Sequence, residues 1–121
     1  MFRNGFVNTT VRLLGTFFTI PEEEIISQDE EGKAMYFISK GDCAVNIKDQ
    51  NGILHVAINL LVEGDHFGEV SLIYKIKRTA TVISRNYNTM ARMSYPKFRE
   101  LVYTFPEYLK LLKINTFYYN D

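Results

Sequence analysis

The chain contains 121 residues, and its 14 lysine and arginine residues balance 14 aspartate and glutamate residues. This length accommodates one domain with a sizeable core, and the zero net charge provides no long-range field that would attract nucleic acid. The one cysteine, Cys43, is too few for an internal disulfide or a zinc site, which fits a reducing setting.

Strands separated by turns are predicted for the middle of the sequence. Gly41 and Gly64 each lie in a short polar turn, and a tight hairpin turn is predicted at 49–52, where asparagine and glycine tolerate positive φ. The regular spacing of short apolar segments indicates a sandwich or barrel. The predicted strands are 35–38, 43–47, 53–62, 78–84 and 89–94.

The C-terminal part changes to a helical period. Pro96 suits the first turn of a helix, and Phe98, Leu101 and Val102 then fall on one face. Phe105 and Pro106 interrupt the pattern before a second helix with Tyr108, Leu109 and Leu112. Two helices are therefore predicted within 96–119.

A glycine, an acid and a forked cation stand at short spacing between the predicted strands. The order is Phe67-Gly68-Glu69, then an apolar and basic connector that includes Val70 and Ser71, then Arg78-Thr79-Ala80. Glycine lets the backbone approach a ligand, and the first turn of a helix offers unpaired N–H groups to an anion. Arginine supplies a planar cation that suits phosphate. This pattern predicts a phosphate pocket.

This order of residues resembles the phosphate-binding cassette of cyclic-nucleotide-binding domains. The resemblance covers about 21–112 of a single predicted domain, 1–121, and implies a mainly β fold: a jelly-roll-like antiparallel β-barrel with the cassette and a C-terminal helical lid. One departure is Asp29, which stands where many members of the family carry glycine. Aspartate tolerates left-handed geometry better than most residues, so we expect the turn to survive.

The resemblance also implies roles for individual residues. Glu69 would accept a hydrogen bond from the ribose 2′-hydroxyl, Arg78 would pair with the cyclic phosphate, and Thr79 would permit a bond to the amino group of guanine. Ser71 would bond the phosphate or only replace alanine. The remaining ligand-binding residues of the cassette would contribute backbone N–H groups or contacts: Phe67, Gly68, Val70 and Ala80.

Each of these residues also has an interpretation without a ligand. Glu69 could be a solvated acid that the helix dipole favours at an N-terminus, Arg78 a charge on the surface of a strand, and Thr79 a β-branched strand residue. The surrounding cassette favours the binding interpretation for Glu69 and Arg78, and leaves Thr79 open between the two.

The sequence offers little for catalysis or for metal binding. His55 and His66 are the only histidines, and they are too far apart and too few for the metal sites of jelly-roll enzymes. No nucleophile with a base and an orienting partner can be assembled from them. We expect no enzyme activity and no cofactor, only a cyclic AMP or cyclic GMP ligand.

The leading functional hypothesis is a cytoplasmic regulatory module that binds a cyclic purine nucleotide and passes lid closure to an effector domain outside this chain. The helix junction around Tyr95-Pro96 and Phe105-Pro106 resembles that of cyclic-nucleotide-regulated ion channels, which implies a transmembrane channel as effector and allows a homotetramer. The alternative is a ligand-free interaction domain whose pocket is filled by its own C-terminal tail, 117–119.

Overall fold

The computed structural model describes residues 5, 10, 12–51, 53 and 59–119, with side chains as far as 113. This part of the chain contains eight strands and, after the sixth strand, three helices. The strands are β1 (Gly15–Thr19), β2 (Glu24–Ile26), β3 (Ala34–Lys40), β4 (Asp42–Asn46), β5 (Asn59–Val62), β6 (His66–Phe67), β7 (Thr81–Ser84) and β8 (Asn88–Ser94). The helices are α1 (Glu69–Tyr74), α2 (Tyr95–Thr104) and α3 (Pro106–Tyr119).

The strands form two four-stranded sheets in which every pair is antiparallel. One sheet has the order β1-β8-β3-β6, and the other has the order β2-β7-β4-β5. Three buried residues from each sheet form one core cluster, so this core lies between the sheets. Its members are Ile38, Cys43, Leu61, Phe67, Val82 and Met90. The predicted jelly-roll-like antiparallel fold is confirmed.

A second core cluster lies on the other face of the first sheet. Side chains alternate between the faces of a strand, so Met35 and Met93 point away from the inter-sheet core and toward the helices. All three helices contribute to this cluster, through Leu72, Phe98, Leu101 and Leu112. The cassette helix and the two C-terminal helices therefore share one apolar core.

Local signals in the sequence account for several turns. Gly41 has φ +111°, and a Cβ there would lie 1.7 Å from Oδ1 of Asn88, so only glycine fits. Asp29 adopts φ 72°, so aspartate supports the left-handed turn as expected. Pro96 stands in the first turn of α2, as predicted, and the predicted interruption at Phe105 and Pro106 is the junction at which α3 begins.

Two predictions about strands need correction. Strand β1 was not predicted, although it is rich in the β-branched and aromatic residues that favour strands. The predicted strand 78–84 begins only at Thr81, because residues 79 and 80 form a bend. Most of the predicted strand 53–62 lies outside the described residues, and 59–62 within it is confirmed.

Candidate phosphate pocket

The chain reverses at Gly68 to begin the cassette helix. Gly68 has φ 91° and ψ 0°, in the left-handed region, and Glu69 is the first residue of α1. A Cβ on Gly68 would lie 3.0 Å from Nη1 of Arg78 and 3.2 Å from the carbonyl oxygen of Ala34. Glycine is therefore needed here both for its backbone conformation and for the close approach of Arg78.

Arg78 lies inside the pocket with its guanidinium held by the backbone. Nη1 donates to the carbonyl oxygen of Gly68 at 2.6 Å and to Oγ of Ser71 at 2.8 Å. Nη2 donates to the carbonyl oxygen of Ala34 at 2.7 Å. The residue is only 6% exposed, so the interpretation of Arg78 as a surface charge is wrong. Its five donors are not exhausted: Nε and one N–H of Nη2 have no partner among the described residues.

The backbone of Arg78 is fixed as firmly as its side chain. Its N–H donates to the carbonyl oxygen of Glu30 at 2.8 Å, and its carbonyl oxygen accepts from the N–H of Asp29 at 2.8 Å. These bonds attach Arg78 to the 29–30 turn, after which the chain bends before β7. This is why the strand begins later than predicted, and why Thr79 is an exposed residue of the bend and not a strand residue.

Charges around the guanidinium partly offset the effect of its burial. Burial lowers the pKa of Arg78, and nearby Tyr36, Glu69 and Glu30 oppose that shift. Arg92 adds to the lowering through like-charge repulsion. Because the ordinary pKa of arginine lies far above neutrality, the group remains a cation at physiological pH.

Glu69 places a buried carboxylate near enough to Arg78 for its charge to raise the pKa of the guanidinium. The residue is 3% exposed, and its Oε1 lies 3.4 Å from Nδ1 of His66. Tyr108 of α3 is close as well: burial, and then the charge of Glu69, raise the pKa of Tyr108 to about 12. A solvated acid at a helix N-terminus would be exposed, so that interpretation of Glu69 is wrong.

The other predicted residues occupy different parts of the cassette. Ser71 is buried, and its hydroxyl contacts the carbonyl oxygen of Gly68 at 3.3 Å in addition to Arg78. Phe67 is buried and stacks on Tyr36 at a ring distance of 5.3 Å. Val70 is half-buried on α1, and Ala80 is half-buried in the bend before β7. Thr79 and Ala80 thus flank the pocket where the chain leaves it.

Close packing against Gly32 also shapes the pocket. A Cβ on Gly32 would lie 2.0 Å from Oγ of Ser71 and 3.4 Å from Cζ of Arg78. Glycine at this position therefore lets the loop before β3 approach the cassette.

The C-terminal helices contact the cassette through apolar side chains. Leu72 of α1 packs in one cluster with Leu101 of α2 and Leu112 of α3, and each is almost fully buried. Tyr108 and Leu109 pack against the same cluster, as expected for a helix that covers the barrel. A displacement of α1 would therefore be felt directly by α2 and α3.

Sequence reasoning missed several residues of the pocket. Ala34 and Glu30 act through their backbone carbonyls, which leave no mark on residue type. His66 was considered only as a metal ligand, although its position three residues before Glu69 could have suggested a pair. Tyr108 was assigned to packing alone.

The remaining expectations concern metal binding, a membrane span and the C-terminal tail. Among the described side chains, no group of three or more could hold a metal ion, and no described helix is long and apolar enough to cross a membrane. His55 and the side chains of the 117–119 tail lie outside the described residues.

Comparison with known proteins places the cassette in a family. The family model described as the cyclic nucleotide-binding domain matches residues 20–104. The cAMP-activated global transcriptional regulator CRP of Salmonella typhimurium is 36% identical over 89 residues, which are 73% of this chain and 42% of that protein. A cAMP-dependent protein kinase regulatory subunit of Yarrowia lipolytica is 30% identical over 90 residues, which are 74% of this chain and 23% of the relative.

Solved structures share the fold at lower identity. The regulatory domain of Toxoplasma gondii PKA, crystallised with cAMP, has a TM-score of 0.84 at 21% identity, over 93% of this chain and 42% of that one. The catabolite activator protein of Thermus thermophilus has a TM-score of 0.81 at 18% identity, over 98% of this chain and 54% of that one.

The chain spans 42% of the length of the regulator and less of the kinase subunit. These relatives are a transcriptional regulator and a kinase regulatory subunit, so they lend no support to the ion-channel effector that the helix junction suggested. From its cassette, its fold and these matches, the chain belongs to the cyclic nucleotide-binding domain family.

Proposed function

We propose that this domain binds a cyclic purine nucleotide in the pocket between Glu69 and Arg78 and acts as a regulatory module. Arg78 would pair with the cyclic phosphate through its remaining N–H donors, and Glu69 would accept from the ribose 2′-hydroxyl. The pocket would be completed by the other residues of the cassette: Phe67, Gly68, Val70, Ser71 and Ala80.

One observation carries this proposal: a buried carboxylate and a buried guanidinium lie at the start of the same short helix, Glu69 as its first residue and Arg78 bonded to the carbonyl oxygen of Gly68. Keeping two charged groups in a low-dielectric site is unfavourable unless they are well paired and hydrogen-bonded. Arg78 retains two unused donors in this site, which suits a ligand that brings an anion and a hydroxyl together.

The names of two relatives favour cyclic AMP as the ligand of this domain. The names of the regulator of Salmonella typhimurium and of the kinase subunit of Yarrowia lipolytica both refer to cAMP. Preferential binding of cyclic GMP would depend on Thr79. This residue is exposed at the end of the cassette and makes no hydrogen bond among the described residues. Thr79 is therefore available to a guanine without being needed for adenine.

Signalling would pass from the cassette helix to the C-terminal helices. Because Leu72, Leu101 and Leu112 share one cluster, a movement of α1 would be transmitted to the lid helices α2 and α3. A nucleotide can shift this equilibrium only by its different affinity for the two arrangements, so it must contact the lid or the cassette better in one of them. The effector would be a domain beyond these residues, of the transcription-regulator or kinase-subunit type.

Calorimetric titration of the folded domain tests the proposal. We expect saturable heat with cAMP and weaker or no binding of adenosine, which lacks the phosphate that Arg78 would recognise. Equal binding of cAMP and adenosine would overturn the role of Arg78. An absence of heat with both cAMP and cGMP, on protein that circular dichroism shows to be folded, would favour the alternative in which the 117–119 tail fills the pocket.

A further inference from the structure

His66 faces the buried carboxylate of Glu69 from the neighbouring strand. It lies on β6, which pairs with β3 so that His66 is opposite Phe37. The two rings are 6.1 Å apart and tilted by 56°, which limits the orientations open to the imidazole. Gly68 turns the chain between the strand and the helix, and this turn brings Nδ1 of His66 to 3.4 Å from Oε1 of Glu69.

Nδ1 of His66 is buried without a hydrogen bond. Among the described residues it is a buried side-chain nitrogen that has no hydrogen-bonding partner, and Glu69 is the acid closest to it. The 3.4 Å contact is not a hydrogen bond, and it becomes an ion pair when the imidazole is protonated. A buried polar atom that remains unsatisfied calls for a functional or structural reason.

The charged and titratable groups around the pair are Asp65, Arg78 and Tyr108, which come from three parts of the chain. Proximity to Glu69 raises the pKa of His66, burial opposes this shift, and Asp65 adds to the rise. Phe37 faces the imidazole from β3 and carries no charge. Around Glu69 stand Arg78, from the segment before β7, and Tyr108, from α3.

We propose that His66 is a positioning residue that holds Oε1 of Glu69, so that Oε2 is presented to the ribose 2′-hydroxyl of a bound cyclic nucleotide. This inference rests on the proposed function. In this proposal His66 acts through Glu69 and not by contact with the ligand, since its Nδ1 is buried and faces the carboxylate. Its effect is confined to the contact between the carboxylate and the hydroxyl.

The charge of the ligand makes this contact sensitive to pH. A cyclic phosphate adds a negative charge close to Glu69 and His66, so the imidazolium is favoured more strongly in the complex than in the free protein. Binding would then take up protons near the pKa of His66. Affinity would be highest below the pKa of the free protein and would fall as the pH rises through the higher pKa of the complex.

The test compares cAMP with 2′-deoxy-cAMP, which lacks the hydroxyl that Glu69 would bind. We expect the wild-type domain to prefer cAMP by about tenfold, the size of one charge-assisted hydrogen bond. His66→Ala should reduce this preference to about threefold or less and change the affinity for 2′-deoxy-cAMP by less than about twofold. His66→Asn, whose amide N–H can reach the carboxylate, should restore part of the preference.

Proton uptake on binding is a further readout of the test. Titrations of the wild type in buffers of different ionisation enthalpy should show proton uptake, and His66→Ala should abolish it, which a merely structural role would not predict. If His66→Ala lowers the affinities for cAMP and 2′-deoxy-cAMP by the same factor, or leaves the preference for cAMP unchanged, this inference is overturned and the proposed function stands. If the wild type binds neither ligand, both are overturned.

Discussion

Nη2 of Arg78 donates a 2.7 Å hydrogen bond to the carbonyl oxygen of Ala34, which lies 44 residues earlier in the chain. Ala34 is the first residue of β3, so this bond ties the end of the cassette to the central part of a sheet. The same guanidinium bonds the carbonyl oxygen of Gly68. Arg78 is therefore placed in the pocket before any ligand arrives, and less ordering is left for the binding step.

Replacing Arg78 should lower the affinity for the nucleotide far more than replacing an exposed arginine. We expect Arg78→Ala to weaken cAMP binding by about 2–5 kcal/mol, or roughly 30-fold or more, because a desolvated phosphate loses its charged partner. Arg85→Ala is the control, since Arg85 is half exposed and pairs with Asp42 at 3.2 Å. Calorimetry on folded variants checks this, and a loss below about threefold in Arg78→Ala would contradict it.

Two glycines with nearly the same positive φ separate backbone strain from crowding by neighbouring atoms. Gly68 has φ 91° and Gly64 has φ 92°, but a Cβ on Gly64 would meet no atom within 4 Å. Both Gly→Ala variants should lose about 1–2 kcal/mol of unfolding free energy from the left-handed backbone. Only Gly68→Ala should also weaken cAMP binding, because its Cβ displaces Arg78. Equal binding by the two variants would show that Gly68 serves the turn alone.

Thr79 is predicted to provide the hydrogen bond that would favour guanine. We expect Thr79→Ala to weaken the binding of cGMP by about 0.5–1.5 kcal/mol, the value of one neutral hydrogen bond. The binding of cAMP should be nearly unchanged. Thr79→Ser keeps the hydroxyl and should keep the affinity for cGMP. Both ligands are titrated by calorimetry. Parallel losses for cAMP and cGMP would mean that Thr79 acts through the conformation of the bend and not through the base.

Leu112 should stabilise the domain much more than its neighbour Leu111. Leu112 is 1% exposed within the cluster that joins α1, α2 and α3, whereas Leu111 is 47% exposed. Leu112→Ala should lower the unfolding free energy by about 2–5 kcal/mol through lost burial and a cavity. Leu111→Ala should change it by less than about 0.5 kcal/mol. Denaturant unfolding measures both, and similar values would show that α3 does not pack as described.

The thiol of Cys43 should be inert in the folded protein. Burial, and then the charge of Asp42, raise its pKa to about 11, so the nucleophilic thiolate is scarce at neutral pH. We expect a thiol reagent at pH 8 to label the protein only as it unfolds, with a rate that rises with denaturant. Rapid labelling of the native protein, at the rate of the unfolded chain, would contradict the burial of β4.

Local chemistry explains what could be predicted of the fold. The turns at Gly41 and Asp29, the first turn of α2 with Pro96 and the start of α3 at Pro106 each depend on the backbone preference of one residue, which is visible in the sequence. The cassette was visible for the same reason, because glycine, acid and arginine stand close together in the chain. The family match over 20–104 agrees with that local pattern.

Only the tertiary structure decided the partners of the charged groups. The carbonyl oxygens of Ala34 and Glu30 reach Arg78 through the pairing of distant segments, and a backbone acceptor has no residue type that could announce it. The contact between His66 and Glu69 depends on the left-handed turn at Gly68 that brings β6 against α1. The sequence by itself determined which groups could bind a cyclic nucleotide, and long-range packing decided their burial, their hydrogen bonds and their connection to the C-terminal helices.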